Sequence, residues 1–451
     1  MAGIVGLYAF DEFWRAARFT YYALLALQHR GQETCGIATS GGGSIHNHGA
    51  PGLVDGVFSK EETISSLPGR VGIGATSPIP EAEQRRIQPT LTTEPAEVAV
   101  CLDGKILNAE ELRQRENLPL QSDSELVGAL LAWRIAAKES PLDAMVTIMR
   151  DVKGVYSIVA LTGDGDMLAA RDPHGVKPLV IGSFGFDYGA VASESCVFDV
   201  IGADFKMDIN PGEVYLFSRR TIERRQALPA KPKHCAFEYV YLARPDSVMN
   251  GLSVYDARLT IGEKLAKEHS HRQADVVIGV PETSTPFAIA YSNATGTPNG
   301  MGFVQTGRRI RSAIRPTQFE RMVGVQLKLN PIRSSIAGKR IILIDDSVVR
   351  GTTTKNTVNI MRNRLGAKEI HVRIGSPKLI APCPYGVEVP PEDELIAANL
   401  KPSEVSKVVG ADTFHWLSLN GLVEAVKLDR SKLCLGCFTG RYPLGGGGEN
   451  D

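Results

Sequence analysis

Residues 341–354 read IILIDDSVVRGTTT: an apolar run, two adjacent carboxylates and a turn rich in glycine and threonine. The run Ile341-Ile342-Leu343-Ile344 is continuously apolar, which predicts a parallel strand buried on both faces. Asp345 and Asp346 stand at its carboxyl end, where open α/β sheets bind ligands. Ser347, Arg350, Gly351, Thr352, Thr353 and Thr354 then lead into a helical stretch ending near Leu365-Gly366. Glycine relieves a tight backbone, and free N–H groups at a helix N-terminus favour a phosphate. Two helix-capping aspartates before a Thr-rich first turn are the simpler alternative. A strand, acids, glycine turn and helix in register favour the anion site.

A chain of 451 residues has room for two or three domains and ample core. Its 50 basic and 50 acidic residues balance, so bulk charge favours neither nucleic acid nor a phospholipid surface as partner. Asp11, Glu12, Arg15 and Arg18 interrupt any signal-peptide core, and no apolar run approaches the ~20 residues that span a bilayer. The expected compartment is the cytosol, so the seven cysteines argue against a disulfide framework. Cys434-Leu435-Gly436-Cys437 has metal-gripping spacing, open between zinc, redox and iron–sulfur chemistry.

Organisation changes near residue 230, where Ala227-Leu228-Pro229-Ala230-Lys231-Pro232-Lys233 lacks periodicity and reads as a connection. Before it, strand-like runs at Gly3–Tyr8, Val98–Leu102, Tyr156–Leu161 and Val214–Phe217 are interrupted by helical patterns near Phe13–Leu27 and Glu125–Ala137. After it, strands at Asp275–Val280, Ile341–Ile344 and Ile370–Ile374 alternate with helices, as in a parallel sheet with crossovers. The glycine-rich end, residues 445–451, reads as a flexible tail.

DDSVVRGTTT resembles the phosphoribosyl pyrophosphate (PRPP) signature of type I phosphoribosyltransferases, and in form that of the amidophosphoribosyltransferase family. The resemblance covers nearly the whole chain. It runs through LQHRGQE (Leu27–Glu33), SDSE (Ser122–Glu125), RDPHGVKPL (Arg171–Leu179), ASES (Ala192–Ser195), FEYVYLARPDS (Phe237–Ser247), PETS (Pro281–Ser284), KLN (Lys328–Asn330) and CFTGRYP (Cys437–Pro443). It implies an N-terminal-nucleophile-type αββα sandwich over residues 1–230, the glutamine amidotransferase-like half. A type I phosphoribosyltransferase parallel-sheet domain follows over 231–445.

By the same resemblance the first half lacks its chemistry. Ala2 stands where the family has its nucleophilic cysteine, whose α-amine serves as base. Ala75-Thr76-Ser77 replaces a His-Thr-Arg that grips the glutamine carboxylate. Asp103-Gly104 replaces the Asn-Gly of the oxyanion hole, where a carboxylate opposes the developing charge and one lost donor costs roughly a hundredfold or more. Asp123, in the motif that holds the substrate amine, persists. Cys35, Cys101 and Cys196 read as buried core, strand or turn residues.

The second half keeps the family's pattern. The resemblance implies that Ser347, Arg350, Gly351, Thr352, Thr353 and Thr354 bind PRPP, with Gly351 and the three threonines on the 5′-phosphate. Asp345 and Asp346 would meet the ribose hydroxyls and Mg²⁺, and Ser284 the pyrophosphate and metal. The basic stretch Arg308, Arg309, Arg311, Arg315, Arg321, Lys328 and Arg333 is either a solvated face or, by resemblance, a loop closing over PRPP with Lys328 on pyrophosphate and Gln318 and Arg321 at the family's positions. Thr306-Gly307-Arg308 departs from that pattern. Cys235, Cys383, Cys434 and Cys437 match the ligands of a [4Fe–4S] cluster in one branch of the family, with zinc as the alternative. The expected function is transfer of ammonia to PRPP in purine biosynthesis, without an intrinsic glutaminase. The alternative is a non-catalytic PRPP- or nucleotide-binding partner of an intact paralogue. The family tends toward homo-oligomers, which is analogy alone.

Overall fold

The computed structural model describes residues 1–11, 13–78, 87–119, 122–271, 273–305 and 329–445. Strands between residues 3 and 226 form two antiparallel sheets, one of seven strands and one of six. In the seven-stranded sheet, Gly3–Ala9 lies between Tyr188–Ala192 and Val71–Ser77. Along Gly3–Ala9, Ile4 and Tyr8 enter the core between the sheets, while Val5, Leu7 and Ala9 enter the core beneath the helix Ala16–Ala26. Val98–Ile106 repeats this in the other sheet: Ala99 and Cys101 face the inter-sheet core, and Val98, Val100 and Leu102 face the helices Asp123–Ala136 and Pro141–Asp151. The period of two puts apolar residues on both faces because both faces are covered. The result is the αββα sandwich. SDSE opens the helix Asp123–Ala136 with a capping box between Ser122 and Glu125.

The second half is built on a four-stranded parallel sheet ordered Val276–Gly279, Arg340–Asp345, Glu369–Ile374, Thr413–Trp416. Ile342 and Ile344 pack with Ile261, Leu265 and Phe287 on one face; Ile341 and Leu343 pack with Val358, Met361 and Val405 on the other. This double burial explains the unbroken apolar run, and the fold is that of the phosphoribosyltransferase sheet.

The connection near residue 230 is pinned. Lys231 N donates to Pro173 O and Lys233 N to His174 O, each at 2.7 Å. It therefore runs along the RDPHGVKPL turn, a tertiary pairing that its composition does not announce. Cys196 opens the short helix Cys196–Ile201, where a strand or turn was expected. No helix among the described residues is long and apolar enough to cross a membrane.

Candidate active site

At the carboxyl end of Arg340–Asp345, the two acids are drawn into a small polar turn. Asp346 N donates to Asp345 Oδ1 at 3.0 Å, Ser347 Oγ donates to Asp346 Oδ1 at 2.7 Å, and Ser284 Oγ reaches Asp345 Oδ1 at 3.4 Å. Ser284 is fully buried and follows the neighbouring strand Val276–Gly279, so two adjacent strand ends converge. Gly351 caps the helix Thr352–Asn359 in the left-handed region, φ +76°. The left-handed backbone favours glycine, and a Cβ there would lie 2.7 Å from Ile396 Cδ1, so that side-chain end would have to shift. Thr352 and Thr353 are exposed at the helix start, whereas Thr354 is buried.

Desolvation, reinforced by its neighbour Asp346, pushes the Asp345 carboxyl well above the usual carboxylate range. Desolvation likewise pushes Asp346 up to about 6, against hydrogen bonds from Ser347 and the field of Arg258. Arg258 spends its donors on Tyr239 O and Ala243 O, and Arg350 pairs with Glu394. No lysine or arginine among the described residues forms an ion pair with either acid. Lys328, Gln318, Arg321 and residues 306–308 lie outside the described residues; Arg333 opens a short helix and donates to Arg364 O at 3.3 Å.

The positions expected to serve glutamine hydrolysis are brought together as well. Ala2 N donates to Asp103 Oδ1 at 2.8 Å, Ile4 pairs with Ala75, and the Ser77 backbone packs against Gly31. Asp103 is fully buried between two cations, with Lys177 Nζ 3.8 Å from one oxygen and Arg30 Nη1 3.9 Å from the other. Arg30 continues to Glu194 and to Glu238 at 2.7 Å, joining the first half to the second. Glu194 is held well below the usual range: burial alone would raise it, and the Arg30 and His29 charges outweigh that. Asp123 is bound by Lys105 and Arg113, each at 3.2 Å, and by Ile106 N at 2.9 Å. Burial raises Cys35 to about 12, Cys196 to about 12 and Cys101 well above its ordinary value, so none presents a thiolate.

Sequence reasoning missed Lys177, Arg30, Lys105 and Arg113. Lys177 and Arg30 sat inside motifs already quoted, but their partner Asp103 is 74 and 73 positions away.

A third cluster lies beside Lys177. Cys235 and Cys434 are directly paired on two short parallel strands, and Cys383 and Cys437 line the same cavity with Val176, Tyr385 and Tyr442. Burial first, with the neighbouring thiols and, for Cys235, Glu238 ahead of them, raises Cys434 to about 11 and Cys235 and Cys437 well above the ordinary thiol value. Among the described residues these sulfurs do not form a group of three within 4.8 Å of one another.

Residues 78–199 match the glutamine amidotransferase domain family. The amidophosphoribosyltransferase of Methanothermobacter thermautotrophicus is 42% identical over 98% of this chain and 94% of its own length. That of Methanocaldococcus jannaschii is 38% identical over 98% of each. The glutamine PRPP amidotransferase of B. subtilis, solved with ADP and GMP, superposes with a TM-score of 0.89 at 36% identity, covering 98% of this chain and 97% of that one. A further structure, of the allosteric regulatory enzyme of purine biosynthesis, gives 0.89 at 34% identity over 98% and 96%. Similar to these relatives in sequence and in fold over nearly its full length, this chain belongs to the amidophosphoribosyltransferase family.

Proposed function

We propose that the chain joins ammonia to the anomeric carbon of PRPP, giving 5-phosphoribosylamine and pyrophosphate, without a glutaminase step of its own. One contrast carries this reading: Asp103 and Asp123 are neutralised by internal cations, whereas Asp345 and Asp346 have no such partner among the described residues. In the reaction the bond from the anomeric carbon to pyrophosphate breaks with its electron pair leaving on oxygen. The nitrogen lone pair forms the new bond, and the nitrogen then loses one proton.

The exposed hydroxyls of Thr352 and Thr353 and the N–H groups following Gly351 are assigned to the 5′-phosphate. Thr354 is assigned a supporting place in that turn, being buried. Asp345 and Asp346 are assigned to the ribose hydroxyls, with Ser347 orienting Asp346 and Ser284 facing Asp345. Lys328 keeps its assignment to pyrophosphate by resemblance. An unneutralised acid pair with a nearby hydroxyl suits a hard divalent cation. Mg²⁺, when bound, supplies positive charge to the departing pyrophosphate.

On the glutaminase side, Ala2 offers no nucleophile, and Asp103, which by resemblance stands at the oxyanion position, brings a carboxylate in place of an amide donor. Asp123 is committed to two cations.

The four cysteines are assigned to a [4Fe–4S] cluster tying residues 234–235 to 383 and 434–437. A single zinc with ~2.3 Å bonds would gather its sulfurs within about 4 Å of one another, and among the described residues no three of these sulfurs lie within 4.8 Å of one another. Iron and sulfide analysis of anaerobically prepared protein tests this; a colourless, iron-free, folded protein overturns it.

The deciding assay is Mg²⁺-dependent pyrophosphate release from PRPP with ammonium and no glutamine. Turnover is expected, with no glutamate released from glutamine. A second role in binding purine nucleotides is favoured by the B. subtilis relative solved with ADP and GMP. PRPP binding without turnover would reduce the second half to a sensor, acting as a homo-oligomer or beside a glutaminase-competent paralogue.

A further inference from the structure

The side of the Glu369–Ile374 strand that faces the helix Val254–His269 is polar, unlike the apolar Ile342 and Ile344 beside it. Ile370, Val372 and Ile374 enter the apolar core on one face; Glu369, His371 and Arg373 share the other by alternation. His271, in the loop after that helix, stacks on His371 with ring centroids 3.8 Å apart and planes 32° apart. Ligand atoms from His271, Glu369 and His371 all fall within 4.8 Å of one another.

We infer that His271, Glu369 and His371 form a binding site for a divalent first-row transition ion of the zinc type, separate from the transferase turn. Four observations carry this. Two imidazoles and one carboxylate are a donor set suited to zinc and its neighbours. His271 Nε2 is buried and has no hydrogen-bond partner, a cost that a bound cation would remove. His371 has a supporting contact, Nδ1 to Thr413 Oγ1 at 3.1 Å, while its Nε2 lies 3.3 Å from Glu369 Oε2. With the proton on Nδ1, donated to Thr413, the Nε2 lone pair is free for metal; this is the usual outer support of a ligating histidine. Finally, the Glu369 side chain is 35% exposed and His371 only 4%, so an ion can enter past the carboxylate and rest against a fixed imidazole.

Arg373 is the nearby opposing charge. Its guanidinium is spent on His269 O at 2.8 Å, Val372 O at 2.9 Å and Thr413 Oγ1 at 2.9 Å, and so is directed at other acceptors. The site lies toward the amino end of the sheet. Glu369 pairs with Arg340, five residues before Asp345, or ~16 Å at ~3.3 Å per residue. The ion would therefore tie the loop at His271 to the strand without entering the PRPP turn.

Full-length protein, carrying whatever its cysteines hold, is treated with chelator and titrated with Co²⁺. The expected result is about one equivalent bound per chain with visible cobalt bands and no thiolate charge-transfer band, which separates it from the cysteine site. Glu369→Gln and His271→Gln are each expected to weaken binding at least tenfold. Thr413→Val should weaken it about ten- to a hundredfold through the lost support. Glu369→Gln is isosteric and partly exposed, so it keeps the test informative if a histidine variant folds poorly. Absence of a thiolate-free cobalt spectrum in the unaltered chain overturns the inference, as does unchanged binding in both Glu369→Gln and His271→Gln.

Discussion

In the first half, Asp103 and Asp123 are held by cations of their own chain, while the acid pair at the end of Arg340–Asp345 is not. Asp103 sits between Lys177 and Arg30, and Asp123 between Lys105 and Arg113. Asp345 and Asp346 are hydrogen-bonded by hydroxyls and backbone N–H groups, with Arg258 acting on Asp346 through its field but forming no ion pair, and both bind protons more tightly than an ordinary aspartate. A buried charge is tolerated when it is paired. A site awaiting an ion-bearing substrate must instead keep charge unspent, at the cost of raised pKa values. The difference between the halves is one of charge balance, and it can be attacked from either side.

The largest effect is expected from unbalancing the first half. Lys177→Ala or Asp103→Ala alone strips one partner from a buried pair and should cost about 3–5 kcal/mol in chemical denaturation. Asp103→Ala with Lys177→Ala together should cost clearly less than the sum of the two. Strict additivity would mean that the two groups do not interact.

In the second half, Asp346→Asn should lower ammonium-dependent pyrophosphate release by about 10²–10³-fold while leaving the fold intact. An unchanged rate would remove this acid from the mechanism. Gly351→Ala should cost roughly 1–2 kcal/mol from the left-handed backbone alone. It should also weaken PRPP binding, because Ile396 must move.

The pH dependence has a definite sign. Asp346 is protonated below about 6 in the ion-free protein, so protons compete with Mg²⁺ there. Apparent Mg²⁺ affinity should fall as pH drops through that value, by up to about tenfold per unit for this acid. A dependence confined to pH 4 and below would indicate ordinary, unperturbed acids. The smallest change is expected from Ala2→Cys. Restoring the thiol alone should release no measurable glutamate from glutamine, since Asp103, Ala75 and Ser77 remain. Glutamate release at an ordinary enzymic rate would break the contrast between the halves.

Much of this was legible in the residues. The apolar run 341–344 announced a doubly buried strand because both faces of that strand are covered by helices. The strands at 98–102 and 156–161 were visible as short, mostly apolar runs between turn signals, although their full extents, Val98–Ile106 and Gly154–Thr162, depend on cross-strand partners. The helix expected from Phe13 begins only at Ala16. The order of motifs carried the family, and the single residues Ala2, Ala75, Ser77 and Asp103 carried the suspicion about glutamine, because a missing functional group is visible without coordinates.

The three-dimensional fold alone decided which charges answer one another. Lys177 meets Asp103, Arg30 bridges to Glu238, and His271 stacks on His371, across separations of 74, 208 and 100 positions. Local pattern reports backbone geometry and burial, because those depend on neighbours a few residues away. Electrostatic compensation and metal-like convergence depend on side chains meeting across sheets, and chain order does not encode that distance.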